Sequence, residues 1–194
     1  MGVTRWLWVR HGPTDPGGLV VGRTDIPVLP PDPARLAGPA ALLREAEVVF
    51  CSPLSRCRVT LDLLRDHCPS LPAASLHDDL MEQHFGAWEG LSHAAVDAWN
   101  GLDLSAMADL RPPEGESFRD VVARIGALVT RLGEAHRDQT IAVVAHEGVI
   151  RAATALALDL PLHRWLSIAI NPLSVTALSD HGDGGWGVDY VNRV

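Results

Sequence analysis

The chain has 194 residues, of which 47% are hydrophobic and 21% charged, and its formal net charge is −8. This length fits one globular domain with a core of its own, and the composition excludes a disordered or fibrous protein. The acidic balance argues against a nucleic-acid partner, since nothing in the sequence resembles a basic stripe. No stretch is long and apolar enough to span a bilayer, so we expect no membrane partner.

Two further features indicate a cytoplasmic protein. The N-terminus has no basic segment followed by an apolar one and a cleavage site, and the first predicted strand begins almost at Met1. The cysteines Cys51, Cys57 and Cys68 are odd in number and match no zinc spacing. This pattern favours reduced thiols over a disulfide framework or a metal site.

The first half of the chain predicts two buried strands and a helix. "RWLWV" (5–9) and "AEVVFC" (46–51) are continuous apolar runs, which suit strands covered on both faces. A helix is predicted over 52–67, with Ser52 as its N-cap and Pro53 at its first helical position.

The second half predicts two helices, a third buried strand and a hairpin. "ESFRDVVARIGALVTRLGEAH" (116–136) has the apolar spacing of a long amphipathic helix. "TIAVVA" (140–145) is strand-like, and "EGVIRAATALAL" (147–158) is a small, apolar helix that we expect to pack on the sheet. Alternating runs on either side of "DHGDGG" predict an antiparallel hairpin.

This alternation of strands and helices predicts a three-layer α/β/α sandwich with a mostly parallel central sheet, formed by residues 1–194 as a single domain. Segments 12–45 and 83–115 are rich in Pro and Gly and have weak periodicity. We expect them to be long loops with short helices that cover the site.

Polar residues that are suited to binding phosphate follow all three predicted buried strands. Arg10 and His11 follow the first, Ser52 to Arg56 the second, and His146 the third. Ligands in such folds bind at the carboxyl ends of the strands. Arginine offers paired donors to phosphate oxygens, helix N-termini favour anions, and a neutral imidazole can attack phosphorus. The sequence therefore predicts a phosphate site at this edge of the sheet.

Five segments, in order, are similar to motifs of the histidine phosphatase superfamily, the phosphoglycerate-mutase-like group. They are "VRHGPTD", "CSPLSRCRVTL", "MEQHFGAWEGL", "PPEGESFRDVVARI" and "VVAHEGVIRA". A lone Arg-His-Gly is weak evidence, but five ordered motifs that cover most of the chain are strong. The resemblance implies the sandwich fold and a small-molecule phosphate ester as substrate. It implies no metal and no cofactor, whereas oligomeric state has no signal in the sequence.

The resemblance assigns catalytic roles to three residues. His11 matches the nucleophile that becomes phosphohistidine, and His146 matches the second histidine, which binds and polarises the transferred group. Glu82 matches the proton donor to the leaving oxygen, which later activates water. Glu89 is an alternative acid, although we expect it to hold a loop.

The resemblance also assigns phosphate contacts. Arg10 and Arg56 match the arginines that clamp phosphate, and Thr14 matches a small hydroxyl residue that contacts it. Gly12, in the same motif, would let the backbone approach a ligand closely.

Two positions depart from the family pattern. Gly17 replaces an asparagine often found six residues after the nucleophile, so one phosphate contact is lost or replaced. Glu147 stands where glycine usually follows the second histidine. A carboxylate would repel phosphate, so we expect this side chain to point away and only its backbone N–H to be used. An inward-pointing carboxylate would select against a second phosphate or bind a cationic part of the substrate.

Within the family, hydrolysis is favoured over mutase activity. The Trp88-Glu89 pair is typical of phosphatase branches, and the chain has no long C-terminal tail of the kind that shields phosphohistidine in mutases. "VGRTDIP" and "HEGVIRAATALALDLP" look most like the branch that contains α-ribazole phosphatase, an enzyme of cobalamin assembly. The alternatives are a cofactor-dependent phosphoglycerate mutase, for which His84 is an argument, and a non-catalytic phosphate-binding module. Trp88 and Trp99 are candidates either for the entrance of the site or for residues that cap the core.

Overall fold

A computed structural model describes residues 2–97, 104–182 and 184–194. Its centre is a six-stranded sheet in the order β3-β2-β4-β1-β5-β6. The strands are β1 (Thr4–Arg10), β2 (Val48–Cys51), β3 (Ala74–Leu76), β4 (Thr140–Ala145), β5 (Val175–Asp180) and β6 (Trp186–Arg193).

The sheet is mostly parallel, as predicted. β1 pairs in parallel with β4, β4 with β2, and β2 with β3, whereas β5 runs antiparallel to both β1 and β6. The three strands predicted from continuous apolar runs are adjacent at the centre of this sheet, where both faces are covered. Their carboxyl ends therefore meet at one edge.

Helices cover both faces of the sheet and complete the three-layer α/β/α sandwich. They are α1 (Ala34–Leu42), α2 (Ser55–His67), α3 (Leu104–Met107), α4 (Phe118–Ala135) and α5 (Glu147–Ala157). Side chains of β1 alternate between two cores: Trp6 and Trp8 pack with residues of α4 and α5, whereas Leu7 and Val9 pack with residues of α1 and α2. This alternation is the two-residue period of a strand.

Helix α4 begins at Phe118, two residues after the predicted start at 116. Ser117 is the N-cap, its side chain accepts a hydrogen bond from the Asp120 backbone N–H, and the Asp120 carboxylate accepts from the Ser117 N–H. This reciprocal capping box fixes the start of the helix, and a buried stripe from Phe118 to Leu132 anchors it on the sheet.

Two local predictions are wrong. Helix α2 begins at Ser55 rather than at Pro53, and its N-cap position is Leu54. Ser52 lies before the helix, where its hydroxyl accepts from the Leu54 N–H and contacts the site described below. The short edge strand β3 was missed, since its three residues are largely exposed and have no apolar pattern. Within the described residues, no helix has the length and apolarity needed to cross a membrane.

Candidate active site

A cavity of about 440 Å³ opens at the carboxyl ends of β1 and β4. Its charged and polar floor contains five of the seven residues predicted from the sequence. They are Arg10, His11, Thr14, Arg56 and Glu82. The other two, Gly12 and His146, contact this floor from below.

His11 borders the cavity with only 6% of its surface exposed. Its Nδ1 lies 2.8 Å from the carbonyl oxygen of Gly12. Because a carbonyl can only accept, Nδ1 carries the proton and the lone pair is on Nε2. Burial lowers the pKa of His11 to about 3, and the nearby charges of Arg56 and Arg10 act in the same direction. The ring is therefore neutral at physiological pH, with a free lone pair on Nε2.

Gly12 fits tightly behind the imidazole of His11. Its N–H donates to the Thr60 hydroxyl over 2.7 Å, and a Cβ at this position would come within 2.9 Å of a methyl group of Val28. Glycine is thus required by the close approach of the two segments, which holds the first turn after β1 in place.

Arg56 is a buried cation, 2% exposed, whose three nitrogens all have partners. Nη1 and Nη2 donate to the carbonyl oxygens of Thr24 and Gly22, and Nε donates to Nδ1 of His146 over 3.2 Å. These contacts fix the guanidinium plane at the cavity floor, which suits recognition of a phosphate.

His146 lies just below the cavity floor and is fully buried. Its ring meets that of His11 edge to face, with centroids 5.2 Å apart. Since Nδ1 accepts from Arg56, Nε2 holds the proton and donates to the Ser52 hydroxyl over 2.8 Å. Burial, assisted by the charge of Arg56, lowers the pKa of His146 well below its usual value, so this ring is also neutral.

Glu147 does not point away, and the expectation that it would is wrong. Its side chain lies on the cavity wall, where Oε2 is 2.9 Å from Nη1 of Arg10 and Oε1 is 2.5 Å from Nη2 of Arg151. The attraction of the two guanidinium groups accounts for this orientation. Arg10 also donates to the carbonyl oxygen of Ile170.

Glu82 approaches the cavity from the opposite side and is held by two backbone donors. Oε1 accepts from the Gln83 N–H over 3.0 Å, and Oε2 accepts from the Gly148 N–H over 3.2 Å. Gly148 belongs to the first turn of α5, where N–H groups have no carbonyl partner within the helix. Glu82 is therefore placed by the same helix that follows His146.

Glu89 holds a loop rather than lining the cavity. Its carboxylate accepts hydrogen bonds from the backbone N–H groups of Arg23, Thr24 and Phe85, and from the Thr24 hydroxyl. Burial opposes ionisation here, but these hydrogen bonds outweigh it and lower the pKa of Glu89.

At the other departure from the family pattern, Gly17 has a φ of +60° with open space around it, so it forms a turn.

The upper walls of the cavity are apolar. Segments 12–45 and 83–115 provide most of these side chains, and Trp165 and Leu166 provide the rest. Trp165 stacks on Phe118 at a centroid distance of 3.8 Å and lies beneath the guanidinium of Arg151. Trp88 is on this wall, whereas Trp99 lies outside the described residues.

The cysteines are buried and unpaired. Burial raises the pKa of Cys51 to about 12 and that of Cys57 well above its usual value, so both are inert thiols. Cys57 Sγ packs 3.4 Å from Nε2 of His146. In the part of the chain that the structure describes, no group of three His, Cys, Asp or Glu side chains is arranged to hold a metal ion.

The sequence predicts no role in the site for Thr60 or Arg151. For Ser52 it predicts a helix cap among the polar residues at the strand end, and not a partner of His146. A signal existed for Arg151, because it lies four residues after Glu147 on a helix and the two must therefore face the same side. Ser52 and Thr60 had no such signal, since their partners are distant in sequence.

Comparisons with known proteins show which family the chain is similar to. A glucosyl-3-phosphoglycerate phosphatase of Mycolicibacterium vanbaalenii is 35% identical over 179 residues, which cover 85% of this chain and 79% of that protein. An adenosylcobalamin/α-ribazole phosphatase of Salmonella typhimurium is 29% identical over 164 residues and covers 80% of each chain. The solved structure of a mycobacterial glucosyl-3-phosphoglycerate phosphatase superposes with a TM-score of 0.84 at 30% identity, covering 99% of this chain and 100% of that one.

The family model of the histidine phosphatase superfamily (branch 1) matches residues 6–193. This match spans the sheet, the cavity floor and both histidines, and the similar proteins are named as phosphatases. The chain therefore belongs to the histidine phosphatase superfamily, branch 1, as a phosphoric monoester hydrolase.

Proposed function

We propose that this phosphatase hydrolyses small phosphate monoesters through a phosphohistidine formed on His11. The observation that carries the proposal is the state of this imidazole: it is neutral, Nδ1–H is held by the Gly12 carbonyl, and Nε2 keeps its lone pair beside two guanidinium groups. Phosphoryl transfer depends mainly on alignment and charge neutralisation, which these groups supply.

In the first step, Nε2 of His11 attacks phosphorus and a bond forms between them. The bond between phosphorus and the ester oxygen breaks, and the leaving oxygen takes a proton from the Glu82 carboxyl. Arg10 and Arg56 neutralise charge on the phosphoryl oxygens, with Thr14 as a further donor. His146 acts from below by holding Arg56 and by its contact with the His11 ring.

In the second step, the Glu82 carboxylate accepts a proton from water as the water oxygen bonds to phosphorus. The bond between phosphorus and Nε2 breaks, inorganic phosphate leaves, and the imidazole returns to its neutral form. The same carboxyl thus serves as acid and then as base, and no proton is gained or lost by the protein over the cycle.

For the substrate, we propose α-ribazole 5′-phosphate as the leading candidate. One relative is named for this ester, and the apolar walls of the cavity, with Phe85, Trp88 and Trp165, suit a flat aromatic leaving group. The relatives named for glucosyl-3-phosphoglycerate make that ester the second candidate. Measuring kcat/KM for these two esters, and for sugar phosphates, nucleotides and 3-phosphoglycerate, would rank the candidate substrates.

The decisive experiment traps the intermediate. Wild-type protein mixed with a ³²P-labelled ester and quenched in alkali should carry label that acid releases, as phosphohistidine does. His11→Ala should carry none and should not turn over, whereas His67→Ala, a change at an exposed histidine of α2, should behave as wild type. Turnover without trapped label, or full activity in His11→Ala, would reject the mechanism. Formation of 2-phosphoglycerate from 3-phosphoglycerate would instead indicate a mutase.

A further inference from the structure

Glu147 forms an ion-pair bridge on the cavity wall between two arginines. Its carboxylate contacts Nη1 of Arg10 at 2.9 Å and Nη2 of Arg151 at 2.5 Å, and its side chain is 28% exposed. Arg151 is fixed independently, since its Nε donates to the Ile168 carbonyl and its guanidinium lies over the Trp165 ring. The bridge is therefore built into the wall rather than formed by a mobile surface pair.

The bridge determines how much positive charge remains for a ligand. The charged side chains of the cavity are Arg10, Arg56 and Arg151 with Glu82 and Glu147, and the histidines of the floor are neutral. Glu147 is shared between Arg10 and Arg151, so it offsets part of the positive charge of both. A second anionic group beside Arg10 would therefore meet a reduced positive charge and the Glu147 carboxylate itself.

The described wall of the cavity is largely apolar. Its lining includes Leu19, Ile26, Leu110 and Trp165, whereas Gln83 and His93 are polar. An anionic leaving group would lose hydration against these side chains and would also face the Glu147 carboxylate. A neutral or cationic apolar leaving group meets neither cost.

We infer that Glu147 is a specificity-determining residue that excludes substrates with a second anionic group close to the phosphate. The inference rests on the proposed phosphatase activity of this cavity and narrows it to monoesters of neutral or cationic, largely apolar alcohols. Discrimination by a repulsive element is a general way to obtain specificity.

Two aryl esters of matched size test the inference: 3-carboxyphenyl phosphate, with a carboxylate, and 3-carbamoylphenyl phosphate, its neutral amide counterpart. Wild-type enzyme should hydrolyse the amide with at least tenfold higher kcat/KM. In Glu147→Gln the preference should fall to about threefold or less, because Arg151 is then free to meet the carboxylate. Glu134→Gln, which removes one exposed negative charge on α4, should keep the wild-type preference.

The outcomes separate the two proposals. If the wild-type enzyme hydrolyses both esters equally well, or if Glu147→Gln folds and keeps the full preference, the specificity role is wrong and the phosphatase activity stands. If neither ester is hydrolysed and α-ribazole 5′-phosphate is also unreactive, the proposed function fails. If Glu147→Gln does not fold, the substrate preference of the wild-type enzyme still tests the specificity role. Competitive inhibition by benzoate and by benzamide provides a second test, in which benzamide should bind more tightly.

Discussion

The amide of Gly148 and the carboxylate of Glu82 are in direct contact, at 3.2 Å between N and Oε2. A Cβ added to Gly148 would lie 2.5 Å from Oε1 of Glu82, closer than any van der Waals contact allows. The obstacle is the end of a flexible side chain, so the carboxyl group would move while the helix stayed in place. The absence of a side chain at residue 148 thus sets the position of the proposed proton donor.

Gly148→Ala should therefore lower activity without lowering stability. We expect kcat for an alkyl phosphate to fall at least tenfold, since general acid catalysis contributes roughly a hundredfold or more. The loss should be much smaller for 4-nitrophenyl phosphate, whose leaving oxygen needs no proton. Thermal unfolding measured alongside should show an unchanged or slightly higher Tm. Equal losses on both esters would indicate that Glu82 does not act as the acid.

The two buried histidines should make stability depend on pH. The pKa of His11 is lowered from 6.5 to about 3, and that of His146 is lowered as well, so between pH 6.5 and 5 the unfolded state binds more protons than the folded state. The free energy of unfolding must then decrease as pH falls from neutral, and at pH 5 the contribution of His11 to this decrease is about 2 kcal/mol.

Urea unfolding at pH 7.5, 6.5, 5.5 and 5.0 measures this dependence. His11→Gln should flatten the slope over this window, because glutamine does not titrate, whereas His67→Gln at an exposed site should leave the slope unchanged. A slope that persists in full in His11→Gln would mean that the imidazole is protonated in the folded state.

Ser52→Ala should destabilise the protein and disturb the site together. The hydroxyl is the hydrogen-bond partner of the buried Nε2–H of His146, and its removal leaves that donor unpaired at a cost of about 1–3 kcal/mol. Ser75→Ala, at an exposed position of β3, should change stability by less than about 0.5 kcal/mol. Chemical denaturation of both variants makes the comparison, and equal values would contradict the assigned hydrogen bond.

Gly126→Ala should stabilise the protein. Gly126 lies inside α4, and an added Cβ would meet Leu156 at 3.6 Å, an ordinary contact, so the gain in helix propensity of about 1 kcal/mol should be realised. Gly90→Ala is the opposite case: it also has open space, but its φ of +82° penalises any side chain, and Tm should fall. A rise in Tm for both variants would show that backbone strain at Gly90 is negligible.

The sequence by itself determined the elements whose signal is local. Continuous apolar runs predicted β1, β2 and β4, the apolar spacing of 116–136 predicted α4, and strand ends carrying Arg10, His11 and His146 predicted one shared edge. Local signals suffice here because strand burial and helix capping depend on neighbouring residues, and parallel strands bring their carboxyl ends to the same side.

Only the tertiary structure decided which polar group meets which. Ser52 binds His146 across 94 residues instead of capping α2, and Glu147 turns toward Arg10, 137 positions earlier in the chain. The edge strand β3 likewise exists through its pairing with β2 rather than through its own pattern. These pairings depend on which donors and acceptors the fold brings together in the buried site. Because the partners are far apart in the sequence, no periodic pattern along the chain reveals them.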